Sequence, residues 1–586
     1  MKSRGLLALL IWLSLFFLVL AASAQAQMQP SRDVRVGLRW LVLPQEVTVT
    51  PRAAGAVMRS CAGCAPARMT GSVTFTAQEN ALNVTGAKSP STEIALAGDY
   101  EIALPGRPPL HVSYSATLRA RGGGIRIVLR IPLEDYVVLA LTGESADFTS
   151  DAALQAMAVV VRTYAVSQRG RHAAEDFDLC DTTHCQLLRF AGEAPPRLRS
   201  AAAATEGELL WYRGQPAVTF YSRNCAGTTE DGASAWPGIA APYLRSHPDP
   251  YCVIHGRNEW NAEIRKSDLA AALRDTDAAA GGASVTSLRI LARTPSGRVA
   301  QIEIGGAGVQ VMTGENFRTA VARALGSGGL RSNAFDVSDA GDRFIFHGYG
   351  AGHGAGLCQA GAQEMGVEGK TYREILAFYY PGTAAGLTAQ GLEWVRLGGE
   401  RLEVMTARPD SDGALVARAD RALREAESRT GWQLAVRPEL RVYPTVSVYR
   451  NATGEPGWVA ASTRGHTVRL EPPEVLNSAG VLDATLRHEF LHLLIESRAR
   501  PGLPLWFREG LALYLNGEVA PGGAVGTGPS DFAALDRALV NAASAGDQRS
   551  AYGKARAAVA RLVAERGRDA VLSWVERGVP PDAMAH

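Results

Sequence analysis

Two histidines four residues apart with a glutamate between them, His488-Glu489-Phe490-Leu491-His492, form a motif with a metal chemistry of its own. On a helix, side chains at i and i+4 share a face, so both imidazoles reach one ion. Glu489 then lies beside them, positioned as a base for an attacking water. The run from Leu482 to Leu486 carries a helical apolar pattern, and Asn477 or Ser478 is the expected cap. A further helix, Leu505 to Leu515, brings Glu509 as a third ligand. Two histidines and one glutamate leave a coordination position open, the catalytic kind of zinc site. The plain alternative is a chance motif on a packed helix.

His172, Cys180, His184 and Cys185 make a second donor set within one short stretch. Thiolates and imidazoles are good Zn2+ ligands, and four of them close a tetrahedral structural site. A Cys180–Cys185 disulfide is the competing reading. Cys225 and Cys252 flank a loop with Trp236 and Tyr243 and are read as a disulfide pair. Cys61-Ala62-Gly63-Cys64 is read as a local disulfide or half of a metal site. Cys358 brings the cysteines to seven, so at least one is free, metal-bound or paired between chains.

The elements that must position these groups are also legible. Residues 27–125 alternate apolar and polar in short runs and read as β-structure. Pro132 opens a helical pattern, and a second helix runs from Ala153 to Val166. Residues 200–385 mix strands and turns and end in a short helix, Tyr372 to Tyr379, stopped by Pro381-Gly382-Thr383. A glycine-rich stretch, roughly 384–399, is the best domain boundary. Beyond it, Asp410 to Thr430 reads as an amphipathic helix, Val442 to Tyr449 and Thr467 to Leu470 as strands, and 530–578 as further helices. The Thr467–Leu470 strand is expected beside the metal cleft, offering an edge to an extended peptide.

Three segments together resemble the sporulation stage II protein D family, which includes amidase enhancers. They are Pro132-Leu133-Glu134-Asp135-Tyr136 with Gly143-Glu144 and the run Ala153 to Ala165; Asp178 to Gln186; and Gly352-His353-Gly354-Ala355-Gly356-Leu357-Cys358-Gln359 with Tyr379-Tyr380-Pro381-Gly382-Thr383. The resemblance spans about residues 30–385. It implies lytic transglycosylase cleavage of peptidoglycan glycan strands, with Glu144 as the catalytic acid, and a zinc in the Cys180–Cys185 loop. A lytic transglycosylase needs no water, because the sugar's own 6-hydroxyl attacks C1. One carboxyl, protonated near neutral pH in a water-poor site, can act first as acid and then as base. On its own chemistry Glu144 reads equally as a helix cap or an arginine partner. His353 and Gln359 are expected to line the glycan cleft, their flanking glycines letting backbone approach a sugar. Arg162 is a candidate substrate contact, packing being its alternative. The family usually has Gln at Met157 and Ser at Cys358. These departures keep open a non-catalytic reading, a glycan-binding scaffold that stimulates a separate cell-wall amidase beside an idle metal site.

The His488–His492 helix with its Glu509 partner resembles the gluzincin metallopeptidases over about residues 402–580, implying a peptide or protein substrate. The expected fold class is α+β multidomain: a β-rich module with a helical catalytic segment, then an α+β zincin-like domain. The expected parts are a signal peptide at 1–26, a β-rich part at 27–125, the catalytic region at 126–390, a linker at 391–401 and the zincin-like domain at 402–586. Lys2 and Arg4, the apolar run Leu6–Leu20 and Ala24-Gln25-Ala26 carry the signal reading, which implies a periplasmic, envelope or extracellular protein. With 60 basic and 58 acidic residues the net charge is only +2, too small a field to hold nucleic acid by its phosphates.

Overall fold

The computed structural model describes residues 33–38, 43–61, 64–86, 89–190, 192–239, 241–274, 284–326, 329–455, 459–517, 531–540 and 544–584. The expected signal at 1–26 lies outside them. Among the described residues no helix is long and apolar enough to cross a membrane.

Alternating sequence builds the first layer. Strands β1 (Val34–Leu38), β2 (Glu46–Arg59), β3 (Val73–Gln78), β4 (Ala81–Val84), β5 (Glu93–Ala103), β6 (Ser115–Arg121) and β7 (Gly124–Ile131) join one sheet. In β7, Ile125, Ile127, Leu129 and Ile131 are buried while Arg130 is exposed, the period of two that a one-sided sheet requires. Two helices follow, α1 (Leu133–Glu144) and α2 (Asp151–Ser167). The Ser150 side chain caps α2 by accepting from Ala153 N. Next comes β8 (Leu179–Cys180), which pairs parallel with β1 and completes the sheet order β8-β1-β7-β6-β5-β2-β3-β4. Helix α3 (Pro196–Ala204), the short parallel pair β9 (Tyr221–Ser222) and β10 (Leu357–Cys358), and helices α4 (Gln359–Val367) and α5 (Tyr372–Tyr379) pack on the same core.

Between β9 and β10 sits a unit the sequence reading did not separate. Strands Glu259–Arg265, Phe335–Asp339 and Arg343–Tyr349 form one sheet, and Val285–Arg293, Val299–Gly306 and Val309–Thr313 another. They share a core of their own around Phe317, Phe335 and Phe346. Residues 126–390 therefore hold two cores, not one.

The last module is a five-stranded sheet under helices. Its order is β11 (Val395–Gly398), β12 (Glu403–Thr406), β13 (Glu439–Val442), β15 (Thr467–Leu470) and β14 (Ala461–Arg464). The expected linker at 391–401 is thus partly strand, since β11 pairs along β12. The expected strand Val442–Tyr449 is split: Pro444 follows β13, and Thr445 caps a helix, α7 (Val446–Thr453), accepting from Val448 N. The long amphipathic helix is α6 (Pro409–Thr430). The motif helix is α8 (Leu482–Glu496), followed by α9 (Leu505–Asn516) and α10 (Ala545–Arg566). Neither Asn477 nor Ser478 caps α8; both lie in a separate short turn of helix, and Asn477 accepts from Arg418 instead.

The two modules meet through a buried charge cluster. Glu206, in the turn after α3, accepts from Arg441 at 2.6 Å, Arg469 at 2.7 Å and the Tyr443 hydroxyl at 2.6 Å. Arg441 also donates to Ala203 O at 2.8 Å, and Trp394 Nε1 to Glu206 O at 2.9 Å. Burial alone would raise Glu206, but Arg441 and Arg469 outweigh it and hold the carboxyl at about 2.

Candidate functional sites

Helix α1 ends on Glu144, which is half-buried. Leu187 N donates to Glu144 Oε1 at 2.8 Å. Gln359 reaches the same residue from α4, donating from Nε2 to Glu144 O at 3.0 Å. Burial raises the Glu144 pKa; the Leu187 amide and the neighbouring Tyr221 hydroxyl pull the other way and do not cancel it. Gly143 is explained by the same contact. A Cβ there would sit 2.0 Å from Leu187 O, so any side chain would push away the segment that holds the carboxyl.

His353 forms an aromatic wall with Trp236 (ring centroids 4.6 Å apart) and Phe220 (6.2 Å), and Phe220 stacks on Trp236 at 4.2 Å. All three are half-buried, a surface suited to stacking on an apolar sugar face. Burial lowers His353 to about 4, so its ring is neutral at pH 7. Its Nδ1 accepts from Ala355 N at 3.1 Å, leaving Nε2 as the donor. The glycines around it serve a different end from the expected one. A Cβ on Gly354 would meet the Arg298 guanidinium at 2.3 Å, and one on Gly356 would meet Phe220 O at 2.0 Å. They let the loop lie close against its own protein.

Arg162 is not available as a substrate contact. It is fully buried and its donors are taken by Glu134 (2.8 and 2.7 Å), Glu208 O and Ala202 O. It ties α1 to α2 and to the turn that carries Glu206. Met157 is equally buried, in the apolar core, so its departure from the family pattern is a packing change rather than a lost cleft amide.

His172, Cys180, His184 and Cys185 converge, one donor atom from each lying within 4.8 Å of the others. Cys185 Sγ is 3.3 Å from His172 Nε2 and 3.7 Å from His184 Nδ1, and Cys180 Sγ is 3.6 Å from His184 Nδ1. Cys180 and Cys185 are free thiols, 2.8 Å apart. The set fits a closed four-coordinate zinc. Its position gives it a purpose: the loop runs directly into Gln186, which accepts from Tyr136 at 2.8 Å, and Leu187, whose amide holds Glu144. Cys61 and Cys64 form a disulfide. Cys225 and Cys252 do not; both are free, with sulfurs 3.3 Å apart.

In the second module α8 and α9 bring His488, His492 and Glu509 to one point. The two Nε2 atoms are 3.0 Å apart, and Glu509 Oε2 is 3.3 Å from His492 Nε2. Burial disfavours charge on both rings. At His492 the Glu509 carboxylate overcomes it and lifts the ring to about 9; at His488 the facing ring adds to it and leaves about 3. Two imidazoles and a carboxylate aimed at one spot fit a divalent cation better than a shared proton. Gly510 lets this happen, because a Cβ there would sit 2.3 Å from Ala555 O and force α9 off α10. Glu489 is buried beside the pair, its Oε2 accepting from Thr463 Oγ1 at 2.7 Å.

These groups line a cleft of about 680 Å³ whose other wall is β14 and whose far side is Gln548 and Tyr552 of α10. The open edge beside the cleft is β14, not Thr467–Leu470, which is interior to the sheet. Thr463, Gln548 and Tyr552 were not anticipated. They lie on a strand and a helix that only the folded chain brings to the motif.

Comparison with known proteins covers the first module. The stage II sporulation protein (SpoIID) family profile matches residues 121–212, and a domain of unknown function (DUF8618) matches residues 255–356, the inserted unit and the His353 loop. An uncharacterized protein of Brachyspira hyodysenteriae is 30% identical over 262 residues, 44% of this chain and 67% of the relative. Stage II sporulation protein D of Bacillus subtilis strain 168 is 28% identical over 271 residues, 44% of this chain and 75% of its own. The amidase enhancer of the same organism is 25% identical over 272 residues, 39% of this chain and 37% of its own.

Proposed function

The chain belongs to the stage II sporulation protein family, and from that premise we propose that it is an exported enzyme that remodels peptidoglycan, cutting glycan strands with its first module and peptides with its second. The observation that carries the first half is Glu144: one half-buried carboxyl whose pKa is raised by burial, with Tyr221, the residue next to Phe220 of the aromatic wall, acting on it. In its protonated form Glu144 gives its proton to the bridging oxygen as the C1–O bond breaks. The carboxylate that results takes the proton of the sugar's 6-hydroxyl as that oxygen bonds to C1, closing a 1,6-anhydro ring and restoring the acid. No second carboxylate and no water are required, unlike ordinary glycoside hydrolysis. His353 contributes a neutral ring face. Gln359 fixes the end of α1 through the Glu144 carbonyl rather than touching sugar itself.

In the second module His488, His492 and Glu509 are the residues that would hold Zn2+. When bound there the metal supplies Lewis acidity toward a peptide carbonyl. Glu489 takes a proton from the attacking water and passes it to the departing amine, while Thr463 keeps its carboxyl oriented. The β14 edge offers backbone groups to an extended peptide. Burial keeps the Tyr552 hydroxyl protonated, so it faces the cleft as a donor.

Digestion of purified peptidoglycan by wild type, Glu144→Gln and Glu489→Gln, with products identified by mass, tests both halves. Glu144→Gln should abolish 1,6-anhydro ends and spare peptide cuts; Glu489→Gln should do the reverse. The similarity to an amidase enhancer supports a second reading. Wild-type protein that binds glycan, makes neither product and accelerates a cell-wall amidase would establish that reading instead.

A further inference from the structure

We propose that Cys225, Asp249, Cys252 and Cys358 form a third metal centre, a buried structural zinc site that ties the strand leading into Gln359 to the loops around it. One donor atom from each lies within 4.8 Å of the others. Tetrahedral ligands at a Zn–S bond of about 2.3 Å stand roughly 3.7 Å apart, so the group is already near the required size. All four are buried, at 1%, 0%, 4% and 0% exposure, which rules out a water-filled cluster of surface acids.

Two of the sulfurs and the Asp249 carboxylate are held as acceptors, and Cys225 Sγ donates to Asp249 Oδ2 at 3.2 Å. Backbone amides donate to two of the sulfurs, Cys225 N to Cys358 Sγ at 3.2 Å and Gly227 N to Cys252 Sγ at 3.0 Å. The Asp249 carboxylate is oriented at both oxygens: Tyr251 N and Cys252 N donate to Oδ1 at 3.1 and 3.2 Å, and the Tyr379 hydroxyl donates to Oδ2 at 2.9 Å. Outer hydrogen bonds of this kind fix first ligands around a metal. Gly361 belongs to the same design, since a Cβ there would approach Asp249 Oδ2 to 2.6 Å. The His172 site shows the same pattern, Cys180 N donating to Cys185 Sγ at 3.0 Å.

A Cys225–Cys252 disulfide accounts for less. It would leave out Cys358, whose sulfur lies among the same donor atoms. The Arg298 guanidinium nearby is directed to carbonyls and a hydroxyl, Cys225 O at 2.9 Å, Thr228 O at 3.1 Å and Ser296 Oγ at 3.0 Å. Three soft thiolates and one carboxylate select zinc over calcium or magnesium, and four protein ligands leave no open position. The cysteine arithmetic then closes: of seven cysteines, two are in a disulfide, two in the His172 site and three here. The site joins β9's loop, the 249–252 turn and β10. The residue after Cys358 is Gln359, whose amide holds Glu144.

The test is the zinc count of the full-length protein by native mass spectrometry. Wild type should carry three zinc ions per chain. Cys358→Ser, which installs the residue the family pattern has there, and Asp249→Asn should each carry one fewer. His488→Ala combined with Cys358→Ser should carry two fewer. Thiol labelling of denatured, non-reduced wild type supplies a measurement that needs no variant: five cysteines should react. Labelling of three, with a Cys225–Cys252 cross-linked peptide, overturns the proposal. So does a zinc count unchanged in soluble Cys358→Ser or Asp249→Asn.

Discussion

On the proposed reading Glu144 acts as an acid, and its neighbours set the pH at which it can. Burial raises its pKa above the ordinary 4.5, while the Tyr221 hydroxyl lowers it. Glycan cleavage should therefore fall as pH rises through the raised value. Tyr221→Phe removes a lowering influence, so the same limb should move to higher pH, read in a pH–rate profile of 1,6-anhydro release. An unmoved limb would separate Tyr221 from the acid. Glu144→Gln keeps the shape and loses the proton, and the rate should drop by about 10²–10⁴-fold. At this scale the sequence was informative where chemistry is local. His488 and His492 share a helix face by spacing alone, and Glu509 follows on the next helix. Arg162 misled, because an arginine on a helix near a catalytic acid reads the same whether it faces a cleft or a buried Glu134.

Elements place these residues through contacts that tolerate no added atom. Alanine at Gly143 would drive its Cβ into Leu187 O, 2.0 Å away. Overpacking of this kind typically costs about 1–3 kcal/mol. Gly143→Ala should thus lower the melting temperature modestly but abolish glycan cleavage, by displacing the amide on Glu144, while leaving zinc content unchanged. Full activity in that variant would show that the Leu187 contact is dispensable. Cys185→Ser acts one step upstream: it should lose one zinc and slow glycan cleavage, with peptide cleavage by the second module intact. Helices with a clear period, such as α8, were legible to the residue. The Val442–Tyr449 segment was not, because its apolar run suits a strand until Pro444 breaks the ladder and Thr445 starts a helix. The open edge was misassigned to Thr467–Leu470 because strand order is a property of the sheet, and no local pattern carries it.

At the scale of the molecule, two modules share one buried carboxylate. Glu206→Gln would take the buried anion from Arg469 and leave Arg441 with Glu439 alone, a loss of about 3–5 kcal/mol for a broken buried pair. Calorimetry should then resolve two unfolding transitions where wild type shows one; a single unshifted transition would mean the cluster does not couple the modules. The sign of the acid response follows from Glu206 being held at about 2, below the ordinary 4.5. Its contribution is complete above about pH 4.5 and is lost as pH falls toward 2. None of this was visible in the chain, since Glu206 meets its partners across 235 and 263 residues. The inserted unit at 255–356 was hidden for a related reason: its strands look like the strands around them, and only its separate core divides it off. One small contact has a wider meaning. Arg464, on the rim of the second module's cleft, is paired with Asp135 on α1, the helix that ends at Glu144. Nine residues of helix amount to roughly 14 Å. The rim of the second module's cleft and the Glu144 carboxyl are thus tied to one short rod, which sets a constant offset between the two sites.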